Sequence, residues 1–228
     1  MKQQRIMLNI KKFEFNMFPV NCYLLWDEDT REAAVIDPGL FFDEEKREFA
    51  SFVKSENIVM RHLLCTHLHI DHVMGCRFVE DTFGTGIEAC REDEWMLPDM
   101  PQHARLFGFS FDDAGMKVSK YLKGGDTVAV GKYALTVLDV PGHSPGGLAY
   151  YLHDADVAGA DYSNVLFSGD TLFAGCIGRT DLYGGDHEAI LRSIRTRLFT
   201  LPDDTVVFPG HGPASTIGRE KRDNIYVK

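Results

Sequence analysis

The sequence predicts an α+β fold built as two layered sheets with helices on their outer faces. Two observations carry this. Apolar runs rich in β-formers recur along the chain with helical stretches interspersed, whereas strict βαβ alternation, which would mark a doubly wound sheet, is missing. Several of those runs also end on their C-terminal side in a histidine or an aspartate, as strands sharing one polar rim would do.

The elements follow in order. "MLNIKKFEF", "NCYLLWD" and "EAAVIDPG" read as strands, each bounded by Asn, Asp, Pro or Gly. Residues 43–56 predict a helix, because Phe49, Phe52 and Val53 recur at helical spacing among charges. "IVMRHLLCTH" is a buried strand by composition, and "HVMGCRFVEDTFG" a short helix closing at Gly84. Residues 91–118 fit no clean period. With Phe107, Phe109 and Phe111 near two prolines, they predict an excursion that covers something, with Trp95, Phe107 and Phe109 either facing a substrate or packing the excursion down. "TVAVG", "YALTVLDVPGH", "GGLAYYLHD" and "NVLFSGD" then alternate strand and loop. Residues 186–201 predict a helix with Asp186 as N-cap and Ile190, Leu191, Ile194 and Leu198 on one stripe, before a last strand, "TVVFPGH". No repeat, low-complexity tract or linker divides the chain, so residues 1–228 are expected to form a single domain.

Composition narrows the partners. With 44% hydrophobic residues in 228, a sizeable core is available. A formal charge of -10 disfavours nucleic acid, whose binding rests on clustered Lys and Arg. No apolar run is long enough to cross a bilayer, so no membrane partner is expected. Lys2 and Arg5 are followed by Lys11, Lys12 and Glu14, which interrupt the core a signal peptide would need. The five cysteines form an odd set without a C-x-x-C pair, as reduced thiols would, and the expected location is cytoplasmic. Oligomeric state leaves no mark.

Chemistry collects in "THLHIDH". His67, His69, Asp71 and His72 put four potential metal ligands into one short segment of a chain that has only nine histidines. His67 and His69 are two apart and project to one side of an extended chain, as two ligands of a single ion should. Asp71 and His72 lie where the chain turns into a helix and can face a second ion. Three further runs end in His143, Asp170 and His211, in "PGH", "SGD" and "PGHG", where glycine lets the backbone turn sharply. His62, His103, His153 and His187 lack such company and read as ordinary polar residues. Cys176, six residues beyond Asp170, reads as a buried inert thiol.

"THLHIDH", "PGHSPGG", "SGDTLFAGCIGRTDL" and "PGHGPAS", in this order, resemble the metallo-β-lactamase superfamily, and within it the glyoxalase II-like hydrolases, from about Asn21 to Arg222. The resemblance implies an αββα sandwich with metals at one edge. It implies that His67, His69 and His143 bind a first metal, that Asp71, His72 and His211 bind a second, and that Asp170 bridges both. Two divalent ions per chain are expected, Zn²⁺ as first choice, with Fe or Mn compatible with five imidazoles and two carboxylates. Arg179, in "GCIGRTD", sits near a cationic substrate contact of glyoxalase II, but an ion pair with a nearby aspartate is an equal alternative. Only 17 residues follow His211, so the helical domain that helps glyoxalase II hold glutathione is not expected.

The implied reaction is hydrolysis of a small-molecule hydroxyacyl thioester, S-lactoylglutathione in the first instance, by hydroxide held between the metals. Asp71 would orient that nucleophile. A thiolate leaves without protonation and an amine usually does not, and no obvious general acid stands outside the ligand set. The alternatives are a persulfide dioxygenase of the same fold, using one iron on the first-site histidines and Asp170, or a hydrolase of other esters or lactones. Metal stoichiometry separates the first of these.

Overall fold

Residue alternation splits the central strands between two apolar layers, and this sorting fixes the architecture. The computed structural model describes residues 7–111 and 115–228; Lys2, Arg5 and positions 112–114 of the excursion lie outside the described residues. The chain opens with an antiparallel meander, β1 (Leu8–Phe15), β2 (Val20–Asp27) and β3 (Glu32–Ile36). It continues through α1 (Asp43–Ser55), β4 (Val59–Leu64), α2 (Ile70–Val73), α3 (Cys76–Phe83) and β5 (Ile87–Ala89). A 3-10 stretch (Arg91–Asp99) and α4 (Met100–Leu106) lead to β6 (Val118–Tyr121), which completes a sheet ordered β1-β2-β3-β4-β5-β6 with β3 to β6 parallel.

The second half adds β7 (Thr127–Val130), β8 (Tyr133–Asp139), β9 (Leu148–Leu152) and β10 (Val165–Gly169). A short hairpin of β11 (Leu172–Phe173) and β12 (Cys176–Ile177) precedes α5 (His187–Ser193), which runs on as a π-helical turn (Ile194–Leu198). β13 (Val206–Pro209), β14 (Ser215–Thr216) and α6 (Ile217–Asp223) follow, and this sheet is ordered β14-β13-β10-β9-β8-β7.

Three apolar layers result. Cys22, Leu24 and Trp26 of β2 pack outward with Phe49 and Val53 of α1. Tyr23 and Leu25, their alternates, pack between the sheets with Val165 and Phe167 of β10. Leu166 points the other way, to Ile190, Ile194 and Leu198. Strands buried on both faces read as continuous apolar runs, which is why the sequence shows them so plainly.

The structure departs from expectation where tertiary contacts dominate. The helix expected after "THLHID" begins at Ile70 and breaks at Gly75, where a Cβ would lie 2.5 Å from the Pro38 carbonyl oxygen. Its expected end holds: Gly84, at φ 74°, closes α3 and donates its N–H to the Glu80 carbonyl. Of the 91–118 excursion, Arg91–Asp99 is a 3-10 stretch, Met100–Leu106 is α-helical and Val118 opens a sheet strand. Asp186 caps α5 by accepting from the Ala189 N–H at 2.9 Å, although only the first half of the predicted helix is α-helical.

One buried cluster gives a pH test of this sheet. Glu88 on β5 accepts from Lys120 Nζ on β6 at 2.8 Å and pairs with His62 on β4. Burial alone would raise its pKa, but His62 and Lys120 outweigh it and the net shift is downward. A depressed carboxyl pKa adds stability above the unfolded value that disappears as pH falls through the folded one. Glu88→Gln is therefore expected to cost about 1 kcal/mol at pH 7 and progressively less below pH 4, measured by urea denaturation at each pH.

Candidate metal centre

β8, β10 and β13 run in one direction, because β10 pairs parallel with β13 and reaches β8 through antiparallel β9. Their ends therefore deliver His143, Asp170 and His211 to one rim, and β4 of the facing sheet delivers the 66–72 segment to the same place. Tyr23 Oη and Asn21 Nδ2, both on β2, donate to the Pro209 carbonyl at 2.8 and 2.9 Å, and Leu148 N–H donates to the Thr66 carbonyl at 2.7 Å. These bonds tie the two sheets together at the rim.

All seven predicted ligands meet there. His67, His69 and His143 form one triad and Asp71, His72 and His211 another, with the candidate ligand atoms of each within 4.8 Å of one another. Asp170 lies between them. Its Oδ2 is 3.6 Å from both His143 Nε2 and His211 Nε2, and its Oδ1 is 3.5 Å from His72 Nε2. Asp71 Oδ2 is 3.1 Å from His211 Nε2.

Four imidazoles are oriented through their far nitrogen. His72 Nδ1 lies 3.0 Å from Asp37 Oδ2, His143 Nδ1 donates to the Arg179 carbonyl at 2.8 Å, and His211 Nδ1 donates to the Pro19 carbonyl at 3.1 Å. His67 Nδ1 faces Thr66 Oγ1 at 3.0 Å, and that hydroxyl donates onward to Asp37 Oδ2 at 2.7 Å. Each arrangement places the proton on Nδ1 and turns Nε2 inward as a free lone pair, the tautomer that a metal ligand needs. His69 reverses the pattern: its Nδ1 lies 2.8 Å from His143 Nε2.

The charges fit a cationic guest. Burial and then the neighbouring histidines hold the His67 pKa well below its usual value, and burial followed by His143 brings His69 down to about 3. For His72, burial is outweighed by Asp71, Asp170 and Asp37, and the pKa rises; His211 rises likewise beside Asp71 and Asp170. The carboxyls of Asp71 and Asp170 fall below the usual range because the histidines overcome burial. Asp71 and Asp170 thus make the second triad favour positive charge, as a cation site would. His67 Nε2, His72 Nε2 and Asp170 Oδ1 are buried without a hydrogen-bond partner, and such orphans are expected where an ion supplies the missing contact.

Other expected residues are placed differently. The Arg179 guanidinium forms a two-bonded ion pair with Asp181, at 2.7 and 2.8 Å, and its side chain is 61% exposed; its carbonyl is what touches the triads. Cys176 is exposed rather than buried, because alternation in the β11–β12 hairpin turns Ile177 inward instead. Phe109 packs on Phe41 and Phe18, Phe107 on Phe18, and Trp95 on Tyr183, so all three have ring partners in the protein.

Two buried carboxylates were not foreseen. Asp37 accepts from Thr66 N–H, Thr66 Oγ1 and His72, and Asp93 accepts from Ser144 Oγ, the Gly146 N–H and the Leu68 N–H. Asp37 carried a signal: "AVID" is another apolar run ending in an acid. Asp93, inside the aperiodic "REDEW", carried none.

A sequence model of the metallo-beta-lactamase superfamily matches residues 16–211. The chain is 35% identical over 221 residues to hydroxyacylglutathione hydrolase GloC of Haemophilus influenzae, covering 96% of this chain and 98% of that one. Among solved structures, the BLEG-1 B3 metallo-beta-lactamase superposes with a TM-score of 0.82 at 33% identity, over 96% of this chain and 99% of that one. A di-iron-bound form of TTHA1623 gives 0.77 at 30% identity, over 95% and 99%. No helix among the described residues is long and apolar enough to cross a membrane.

Proposed function

The chain belongs to the metallo-beta-lactamase superfamily, and from that premise we propose that it is a two-metal, glyoxalase II-like hydrolase of hydroxyacyl thioesters, with S-lactoylglutathione as the substrate to test first. The observation that carries the two-metal part is Asp170, whose Oδ2 is equidistant, at 3.6 Å, from a histidine of each triad. In this reading His67, His69 and His143 hold one cation, Asp71, His72 and His211 hold the other, and Asp170 is shared. Zn²⁺ is the proposed metal, with iron supported by the di-iron form of TTHA1623. The thioester assignment is supported by the likeness to GloC, whose name gives a hydroxyacylglutathione as its substrate.

When bound, paired divalent cations supply Lewis acidity and bring the pKa of a shared water toward ~7. The protein's part is placement. Asp71, at the start of α2, turns Oδ2 toward His211 and would leave its other oxygen to accept a hydrogen bond from the nucleophile and so orient it. Asp37, Thr66 and the carbonyls of Pro19 and Arg179 lock the imidazoles, so little reorganisation accompanies reaction. Asp37, Thr66 and the two carbonyls all serve the imidazoles and offer a leaving group no proton. A thiolate, whose conjugate acid lies near ~8.5, needs none, and this supports a thioester over an amide. Arg179 is the proposed contact for a substrate carboxylate, which would replace Asp181 on its exposed guanidinium.

The test is S-lactoylglutathione turnover by protein whose metals are counted on the same sample. Hydrolysis with two metals per chain is the expected result. Two metals without turnover would redirect the search to other esters and lactones, and a single iron would favour the persulfide dioxygenase.

A further inference from the structure

We propose that Asp93 is a positioning residue that sets the geometry of the three-histidine triad from outside the ligand motifs. It rests on the reading of the two triads as metal sites, and not on the identity of the substrate. Asp93 stands on the 3-10 stretch of the excursion and is fully buried, as is Ser144. Its Oδ1 accepts from the Gly146 N–H at 2.6 Å; its Oδ2 accepts from Ser144 Oγ at 2.7 Å and from the Leu68 N–H at 3.4 Å. Ser144 directly follows His143, and Leu68 separates His67 from His69. One carboxylate therefore holds the two segments, from different sheets, that must converge on one ion.

The fit leaves no slack. A Cβ on Gly146 would lie 2.8 Å from Asp93 Cγ, so glycine is what lets the loop come down onto the carboxylate. Two residues on, Trp95 meets Tyr183 edge to face at 5.0 Å, bracing the loop whose Arg179 carbonyl orients His143 Nδ1. The excursion thus grips His143 from both sides, whereas the Asp71–His72–His211 triad is held by Asp37 and Pro19 instead. Its effect should accordingly be confined to one half of the centre.

Asp93→Asn tests this without changing size. An amide presents one oxygen, enough for the Gly146 N–H, and an NH₂ that faces the Leu68 N–H donor to donor, pushing the His67–His69 segment out of place. Metal-free protein would be titrated with Co²⁺, whose visible spectrum reports ligand geometry at each step, alongside thermal melting and steady-state kinetics. The expected result is one binding step weakened by about 10–100-fold, the usual effect of losing a ligand's hydrogen-bond partner. The spectrum of that step alone should change, and kcat should fall with KM little altered. Ser144→Ala, which removes a single donor and keeps the packing, should reproduce a smaller version if Asp93→Asn folds poorly. Unchanged Co²⁺ steps in both variants, or equal weakening of both steps in proportion to lost stability, would overturn the proposal. Wild-type protein that takes up no Co²⁺ would instead sink the underlying metal reading.

Discussion

Asp170→Ala is expected to lose more than about 100-fold in thioester turnover and to retain at most one metal per chain, with its far-ultraviolet circular dichroism unchanged. The magnitude follows by comparison. Removing a residue that only orients a ligand costs ~10–100-fold, and Asp170 faces the ligand nitrogens of both triads directly. Without it, Asp71 is the one carboxylate left among the five imidazoles, so a second cation would lose both the proposed shared ligand and half of the balancing charge. The fold should survive, because the strand that carries Asp170 is fixed by Val165, Leu166 and Phe167 in two separate apolar layers. Turnover at near wild-type rate in a variant with one metal would sink the two-metal mechanism.

The parts of this protein that show in its sequence are those whose determinants are local. β2 and β10 are buried on both faces, so each is a run of apolar residues regardless of what lies beside it. The proposed ligands show for a related reason: four of the seven fall between His67 and His72, and the others each follow a strand, beside a glycine. β5 and β6 are different. They have three and four residues, and they become strands because β4 offers an edge on which to pair. Asp93 is hidden in the same way, since its burial comes from loops more than twenty residues away on either side. Arg179 shows the limit from the opposite direction: the motif marks the position, but the backbone carbonyl, which any residue supplies, makes the contact to His143.

Asp37 is the site where a single atom should most directly change a histidine of the second triad. Asp37→Asn keeps volume and shape, and its amide oxygen can still accept from the Thr66 N–H, now at 2.7 Å from Oδ1. The NH₂ that replaces Oδ2 cannot accept from His72 Nδ1. It donates instead, so His72 must carry its proton on Nε2, the nitrogen turned toward Asp71 and Asp170. A protonated Nε2 is no ligand. The expected result is a protein that melts cooperatively and binds the second cation about 10–100-fold more weakly, with a smaller loss at the first, because the same NH₂ can no longer accept from the Thr66 hydroxyl behind His67, and with kcat restored in part by excess metal. Nitrogen-15 shifts of the His72 ring, recorded in the metal-free protein at a pH high enough to make the imidazole neutral, would report the switch from an Nδ1–H to an Nε2–H tautomer. If the ring keeps its proton on Nδ1 and the second cation still binds as in wild type, then Asp37 does not act through the His72 tautomer, and its place beneath the triads serves only to hold Thr66.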